Sequence, residues 1–180
     1  INNRETYRVL ASIFTEVRIL PNLEYRLNFG PEYRNWSNGR YEDARSINRG
    51  AGEPGSTNYA QYNTDLRRSW TLDNLVYYTN QLQKHKIDLT LLQTATFNHQ
   101  ESSSLTGTDL PWDSQRWHQL NSLSSLDSYS TGLTESSLTS YMGRINYGFD
   151  DKYLLTASIR WDGASQLAEG HKWDFFPSAA

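Results

Sequence analysis

The sequence predicts an all-β chain whose strands run antiparallel as the wall of a transmembrane barrel, and three observations predict it. Apolar and polar residues alternate with a period of two; no stretch approaches the run of about 18 apolar residues that a membrane helix needs; and the connections alternate between tight turns and long polar segments. Composition narrows the choice. The 180 residues have a mean hydropathy of -0.74 and are 37% hydrophobic, yet 13% are aromatic, which excludes a disordered tail. A net charge of -3 supplies no field for gripping a nucleic acid, and with no cysteine there is neither a disulfide framework nor a thiolate metal site.

The elements follow in order. Tyr7, Val9, Ala11, Ile13, Val17 and Ile19 share one face of a first run, with Arg8, Ser12, Glu16 and Arg18 on the other. Leu20-Pro21-Asn22 makes a tight turn into Leu23, Tyr25, Leu27 and Phe29, which alternate with Glu24, Arg26, Asn28 and Gly30. A long polar loop is expected over residues 36–67. Trp70, Leu72, Val76 and Tyr78 then share a face, Gln83-Lys84-His85 turns the chain, and Ile87, Leu89, Leu91, Ala95 and Phe97 answer them. A Ser-rich loop is expected over 103–136. Tyr141, Gly143, Ile145, Tyr147 and Phe149 lead through Asp150-Asp151-Lys152 to Tyr153, Leu155, Ala157, Ile159 and Trp161. After a looser connection over 163–172, a seventh strand is expected to start near Trp173.

These runs of roughly 12 to 17 residues are long against the usual strand of about 5–6. An outer-membrane barrel uses such length, with short turns on one side and long loops on the other. Its apolar face meets lipid and its polar face the lumen, so a low mean hydropathy is compatible with membrane insertion. Tyr147, Phe149 and Tyr153 flank one turn, and Trp161 stands eight residues beyond Tyr153 on the same face, as the two aromatic belts of a bilayer-spanning hairpin would. Cross-strand aromatic packing in a water-soluble sheet is the plainer alternative. Ile1-Asn2-Asn3-Arg4 carries no secretory signal, and both termini read as cuts through structure. Six or seven strands cannot close, so this stretch is expected to leave two unpaired edges and not to fold alone.

The segment from Ser140-Tyr141-Met142-Gly143-Arg144-Ile145-Asn146-Tyr147, through Asp151-Lys152-Tyr153-Leu154-Leu155-Thr156-Ala157, to Arg160-Trp161-Asp162-Gly163-Ala164-Ser165 resembles a hairpin of SusC/RagA-type TonB-linked outer-membrane proteins. Its continuation Trp173-Asp174-Phe175-Phe176-Pro177-Ser178 does so too, and Trp70-Thr71-Leu72-Asp73-Asn74 and the Leu23-to-Gly30 strand match more loosely. Trp161, Ala164 and Gln166-Leu167 are local departures. The resemblance implies that residues 1–180 are part of a 22-stranded barrel in the bacterial outer membrane, whose plug domain and remaining strands lie outside this sequence. It implies transport and not enzymatic chemistry, energised by TonB through the plug, with a SusD-like surface lipoprotein as cap and glycans or peptides as cargo. The other contacts would be lipid bilayer and lipopolysaccharide.

On that reading Arg144, Asn146, Arg160 and Asp162 are expected to face the lumen, pairing with one another or with the plug. Trp112, Trp117, His118 and Tyr129 stand among polar residues in the 105–135 segment, where aromatic rings suit sugar faces. They are candidate ligand contacts; the alternative is that they pack the loop on itself or on the capping partner. No cofactor is implied. Gly50-Ala51-Gly52-Glu53-Pro54-Gly55 fits a dinucleotide fingerprint only as letters, since no strand precedes it and no helix follows. His85, His99, His118 and His171 lie far apart without zinc spacing, Asp150-Asp151 suits a turn better than calcium, and no nucleophile-elbow motif occurs. The rival functional class is a soluble carbohydrate-binding β-sandwich, which would show strands near six residues and an enclosed apolar core.

Overall fold

The computed structural model describes residues 1–180. Eight strands form one sheet: β1 (Asn2–Leu10), β2 (Ile13–Leu20), β3 (Leu23–Glu42), β4 (Tyr59–Leu82), β5 (His85–Thr108), β6 (Ser125–Phe149), β7 (Tyr153–Ala164) and β8 (Trp173–Ala179). Pairing follows the order β1-β3-β4-β5-β6-β7-β8, and β2 pairs with β3 beside β1. The eight segments therefore occupy seven strand positions.

The split between β1 and β2 has a local cause. Ala11 donates its N–H to the carbonyl of Pro31 at 3.1 Å, but Pro31 has no N–H to return, so the ladder is interrupted where the two meet. Pairing with β3 resumes at Ile13↔Phe29.

Two expectations need correction. The loop expected over 36–67 occupies only 43–58, and the one expected over 103–136 only 109–124, because β3, β4, β5 and β6 run for 20, 24, 24 and 25 residues. Alternation signals a strand only while its two faces meet different surroundings. The outer stretches of these strands carry polar residues on both faces, and backbone hydrogen bonds sustain the ladder without a hydrophobic pattern.

The residues group into two compact units. The first comprises Ile1–Val9, Tyr33–Arg68 and His99–Thr134 and holds both long connections. It contains every buried apolar residue, namely Tyr41, Ala60, Leu110 and Trp117, with Leu120 and Leu123 packed against them.

The second unit comprises Leu10–Glu32, Ser69–Asn98 and Glu135–Ala180 and holds the tight turns. Asp150 and Asp151 both take left-handed backbone conformations, at φ 55° and 52°, which Asp tolerates better than most residues. Asp150 also ties this turn to its neighbour: its N–H donates to the Lys84 carbonyl at 2.8 Å, and its carboxylate pairs with Lys84 at 3.1 Å and Lys152 at 3.3 Å.

Register in this unit sorts the side chains. Along β6 and β7, Tyr141 faces Trp161, Gly143 faces Ile159, Ile145 faces Ala157, Tyr147 faces Leu155 and Phe149 faces Tyr153. Between these rows, Ser140 faces Asp162, Met142 faces Arg160, Arg144 faces Ser158 and Asn146 faces Thr156. Successive side chains point to opposite faces, so one face of the hairpin is apolar and the other polar. The apolar face is not covered: Ile145, Ile159, Trp161 and Leu155 are all exposed, and the single sheet has no second layer. The short strands and enclosed core of a sandwich are not found.

Candidate functional site

The polar face of the second unit is built from paired groups. Arg160 Nε donates to both carboxylate oxygens of Asp162, at 2.7 and 2.8 Å, and its Nη2 reaches Ser140 Oγ at 3.3 Å. Thr156 Oγ1 donates to Asn146 Oδ1 at 3.0 Å, while Arg144 lies opposite Ser158. Strand register therefore brings all four of the sequence-predicted polar residues to one face. The same chemistry continues on β4 and β5, where Thr94 donates to Asp73 at 2.7 Å and Thr79 to Asp88 at 2.9 Å.

The first unit carries a denser network that sequence reading missed. Arg34 pairs with Asp65 at 3.4 Å, Gln100 Nε2 donates to the other oxygen of Asp65, and Arg67 donates to Gln100 Oε1 at 2.7 Å. Asp65 is buried, and the Arg34 guanidinium and the Gln100 amide, on the two neighbouring strands, offset the desolvation of its carboxylate. Asp65 and Arg67 fall inside the stretch read as loop, where no alternation marks a face. Only the recurrence of Asp and Arg two residues apart hinted at an ordered polar row.

The connection 109–124 is held down by one ring and one amide. Trp117 lies over Gly39, so close that a Cβ at residue 39 would stand 2.2 Å from the indole, and the residue is only 8% exposed. Asn58 accepts from the Leu110 N–H at 2.7 Å while its Nδ2 donates to the Leu110 carbonyl and to Asp113 Oδ1, both at 2.9 Å. Tyr41 donates its hydroxyl proton to the same Asp113 oxygen. Trp117 is thus used in packing. Trp112 remains 59% exposed, His118 is exposed beside the Trp117 ring at 5.2 Å, and Tyr129, 65% exposed, stands on β6 and not in the loop.

A depression of about 400 Å³ forms where His118 and the Trp117 edge meet Tyr62, Ser37, Asn3 and Glu5. Its lining combines aromatic surface with hydroxyl, amide and carboxylate groups, a chemistry that suits polyhydroxyl ligands. In the 43–58 loop, Arg45 forms two hydrogen bonds to the Asp43 carboxylate, at 2.9 and 2.7 Å, and holds its pKa down at about 2. No group of three His, Asp or Glu side chains is placed to hold a metal ion.

No family model matches the chain. Curated relatives do. TonB-dependent receptor P26 of Formosa agariphila is 29% identical over the whole chain, and receptor P3 of the same organism is 26% identical over 98% of it. TonB-dependent receptor SusC of Bacteroides thetaiotaomicron is 45% identical over 47 residues, 26% of the chain. The chain spans 18% of the length of P26 and 17% of P3. Among solved structures, the RagAB peptide transporter superposes with a TM-score of 0.89 at 15% identity, covering 99% of this chain and 20% of that one. The ferric preacinetobactin receptor BauA of Acinetobacter baumannii shares the fold at a TM-score of 0.52 and 10% identity. One uncovered sheet with an apolar and a polar face, superposing on the strands of the RagAB transporter, gives this chain the fold of a β-barrel segment, and along its full length its sequence is similar to TonB-dependent receptors.

Proposed function

We propose that residues 1–180 form part of the wall of an outer-membrane transporter that imports oligosaccharides or peptides together with a SusD-like surface lipoprotein. One observation carries the reading: a single sheet of long strands keeps its apolar side chains exposed on one face and its hydrogen-bonded polar side chains on the other. In water that arrangement is unfavourable; between lipid and an aqueous conduit it is the stable one. The apolar face meets acyl chains, and Arg144, Asn146, Arg160 and Asp162 line the lumen. The plug domain and the remaining strands complete the barrel outside this segment.

The chemistry is passage and not bond-breaking. Cargo is held beneath the capping lipoprotein, TonB pulls on the plug from the periplasm, and a route opens along the polar wall. Trp112, His118 and Tyr129 contact cargo or cap, while Trp117 fixes the loop that presents the first two. Two observations motivate the two cargo classes: the aromatic and polar lining of the depression beside His118 suits oligosaccharides, and the similar RagAB structure is that of a peptide transporter.

The test is uptake by cells carrying the full-length gene. A strain lacking it should fail to take up one defined oligosaccharide or peptide pool, and plasmid-borne wild type should restore uptake. A Trp112→Ala/His118→Ala double variant, expressed and inserted normally, should restore it only partly. Unchanged uptake in the deletion strain across both pools would remove the transport reading.

A further inference from the structure

The apolar face of the second unit contains one feature that a bare lipid-facing wall does not need. Tyr25 donates its hydroxyl proton to Asn74 Oδ1 at 2.6 Å, and Asn74 Nδ2 donates to Gln93 Oε1 at 2.6 Å, forming a polar chain across three strands on the same side of the sheet as Leu27, Leu72, Leu91 and Phe97. Polar side chains in contact with hydrocarbon are costly unless paired, and in membrane proteins they mark function. Asn74 and Gln93 form one rim of a groove of about 610 Å³ whose other walls include Val76, Leu91, Ile159, Tyr141 and Trp161, with Gly143 on β6 opposite Ile159.

We propose that this groove holds one hydrocarbon chain of an outer-membrane lipid, with the lipid's ester or amide carbonyl accepting a hydrogen bond from Gln93. The inference rests on reading this face as membrane-facing. Three features point to a lipid. The walls are apolar, so the body of the occupant is hydrocarbon. The polar atoms are confined to one rim and, because Asn74 already occupies the Gln93 oxygen, what that rim offers is the Nε2–H donor; the occupant therefore carries an acceptor at one end. The same end is bordered by Tyr141, Trp161 and Trp173, whose rings lie 4.5 to 6.3 Å apart, and Tyr and Trp gather where acyl chains meet headgroups. An apolar side chain from another barrel would leave the Gln93 donor without a partner in a dry contact, at a cost in desolvation.

Gly143 makes the proposal testable. A Cβ there would meet Ile159 Cγ2 at 3.5 Å and Leu91 Cδ2 at 3.7 Å, ordinary contacts, so a larger side chain enters the groove without straining the sheet. Full-length wild type, Gly143→Leu and Gln93→Leu proteins, extracted in mild detergent and washed, would be analysed for bound phospholipid and lipopolysaccharide by mass spectrometry. Wild type is expected to retain lipid. Gly143→Leu should retain less lipid than wild type because its side chain occupies the space beside Ile159 and Leu91 that the acyl chain fills, and Gln93→Leu should fall in the same direction. Phospholipid and lipopolysaccharide appear as separate masses, so the retained species identifies the source. Equal retention in wild type and Gly143→Leu, or a homodimer that Gly143→Leu dissociates without a change in lipid, would overturn the proposal. Heat-modifiable migration and insertion into vesicles report on the barrel independently: an inserted barrel with no retained lipid sinks this inference alone, and failure to insert sinks the transporter reading as well.

Discussion

Gly39 and Trp117 show how one small residue decides the fate of a large one. With no Cβ at residue 39 the indole lies on the strand backbone and completes the cluster of Tyr41, Ala60 and Leu110. Trp117→Ala should cost about 3–5 kcal/mol of the stability that holds the 109–124 loop, the usual loss for a buried Trp. Hydrogen exchange of that loop checks it: protection at residues 109–124 should fall while that of β6 and β7 is unchanged, and equal protection would mean that Asn58 alone holds the loop. A second local device is the Asp43–Arg45 pair. Its folded-state pKa of about 2 lies below the ordinary value of 3.8, so its contribution is complete above about pH 4 and fades as the pH falls toward 2. Arg45→Ala should move the Asp43 titration up toward the ordinary carboxylate value, read by carboxyl chemical shifts; an unmoved midpoint would show that the backbone N–H of Arg45 is the controlling donor.

The β6–β7 hairpin is the element in which sequence and structure agree most closely. Every apolar position assigned from alternation stands opposite another in the register, and the polar face pairs polar residues except where Arg160 faces Met142 and Gly148 faces Leu154. The element predicts its own surroundings. In full-length protein, single cysteines at Ile145 and Ile159 should resist a membrane-impermeant thiol reagent and be quenched by lipid-borne quenchers, whereas cysteines at Arg144 and Ser158 should react. The reverse pattern would turn the sheet inside out. Ile159→Arg, placing a charge on the apolar face proposed to meet lipid, should destabilise the inserted barrel by about 2–4 kcal/mol if the position lies at mid-bilayer, and less toward either interface. Urea titration in lipid vesicles measures it. The β1–β2 break is legible only afterwards: Pro31 is visible in the sequence, but that it meets Ala11 depends on a register between chain segments about twenty residues apart.

The whole molecule is organised by its edges. β1, β2 and β8 lie at the margins of the sheet, with one side of each lacking a strand partner. The 180-residue segment expressed alone should therefore aggregate in detergent and show no heat-modifiable migration, while the full-length protein shows it. A monomeric, protease-resistant segment would refute the barrel assignment. At this scale the sequence by itself determined the period of two, the turn positions at Pro21, Lys84 and Asp150, and the side of the sheet to which each residue of the apolar band belongs. Only the tertiary structure decided that the strands reach 24 and 25 residues, that Asp65 and Gln100 join one network, that Trp117 turns inward while Trp112 stays out, and that Asn74 and Gln93 share the rim of a groove. The reason is physical. A hydrophobic pattern records a difference in solvent between two faces, and it falls silent where both faces are wet or where residues distant in the chain are brought together by backbone hydrogen bonds that any side chain permits.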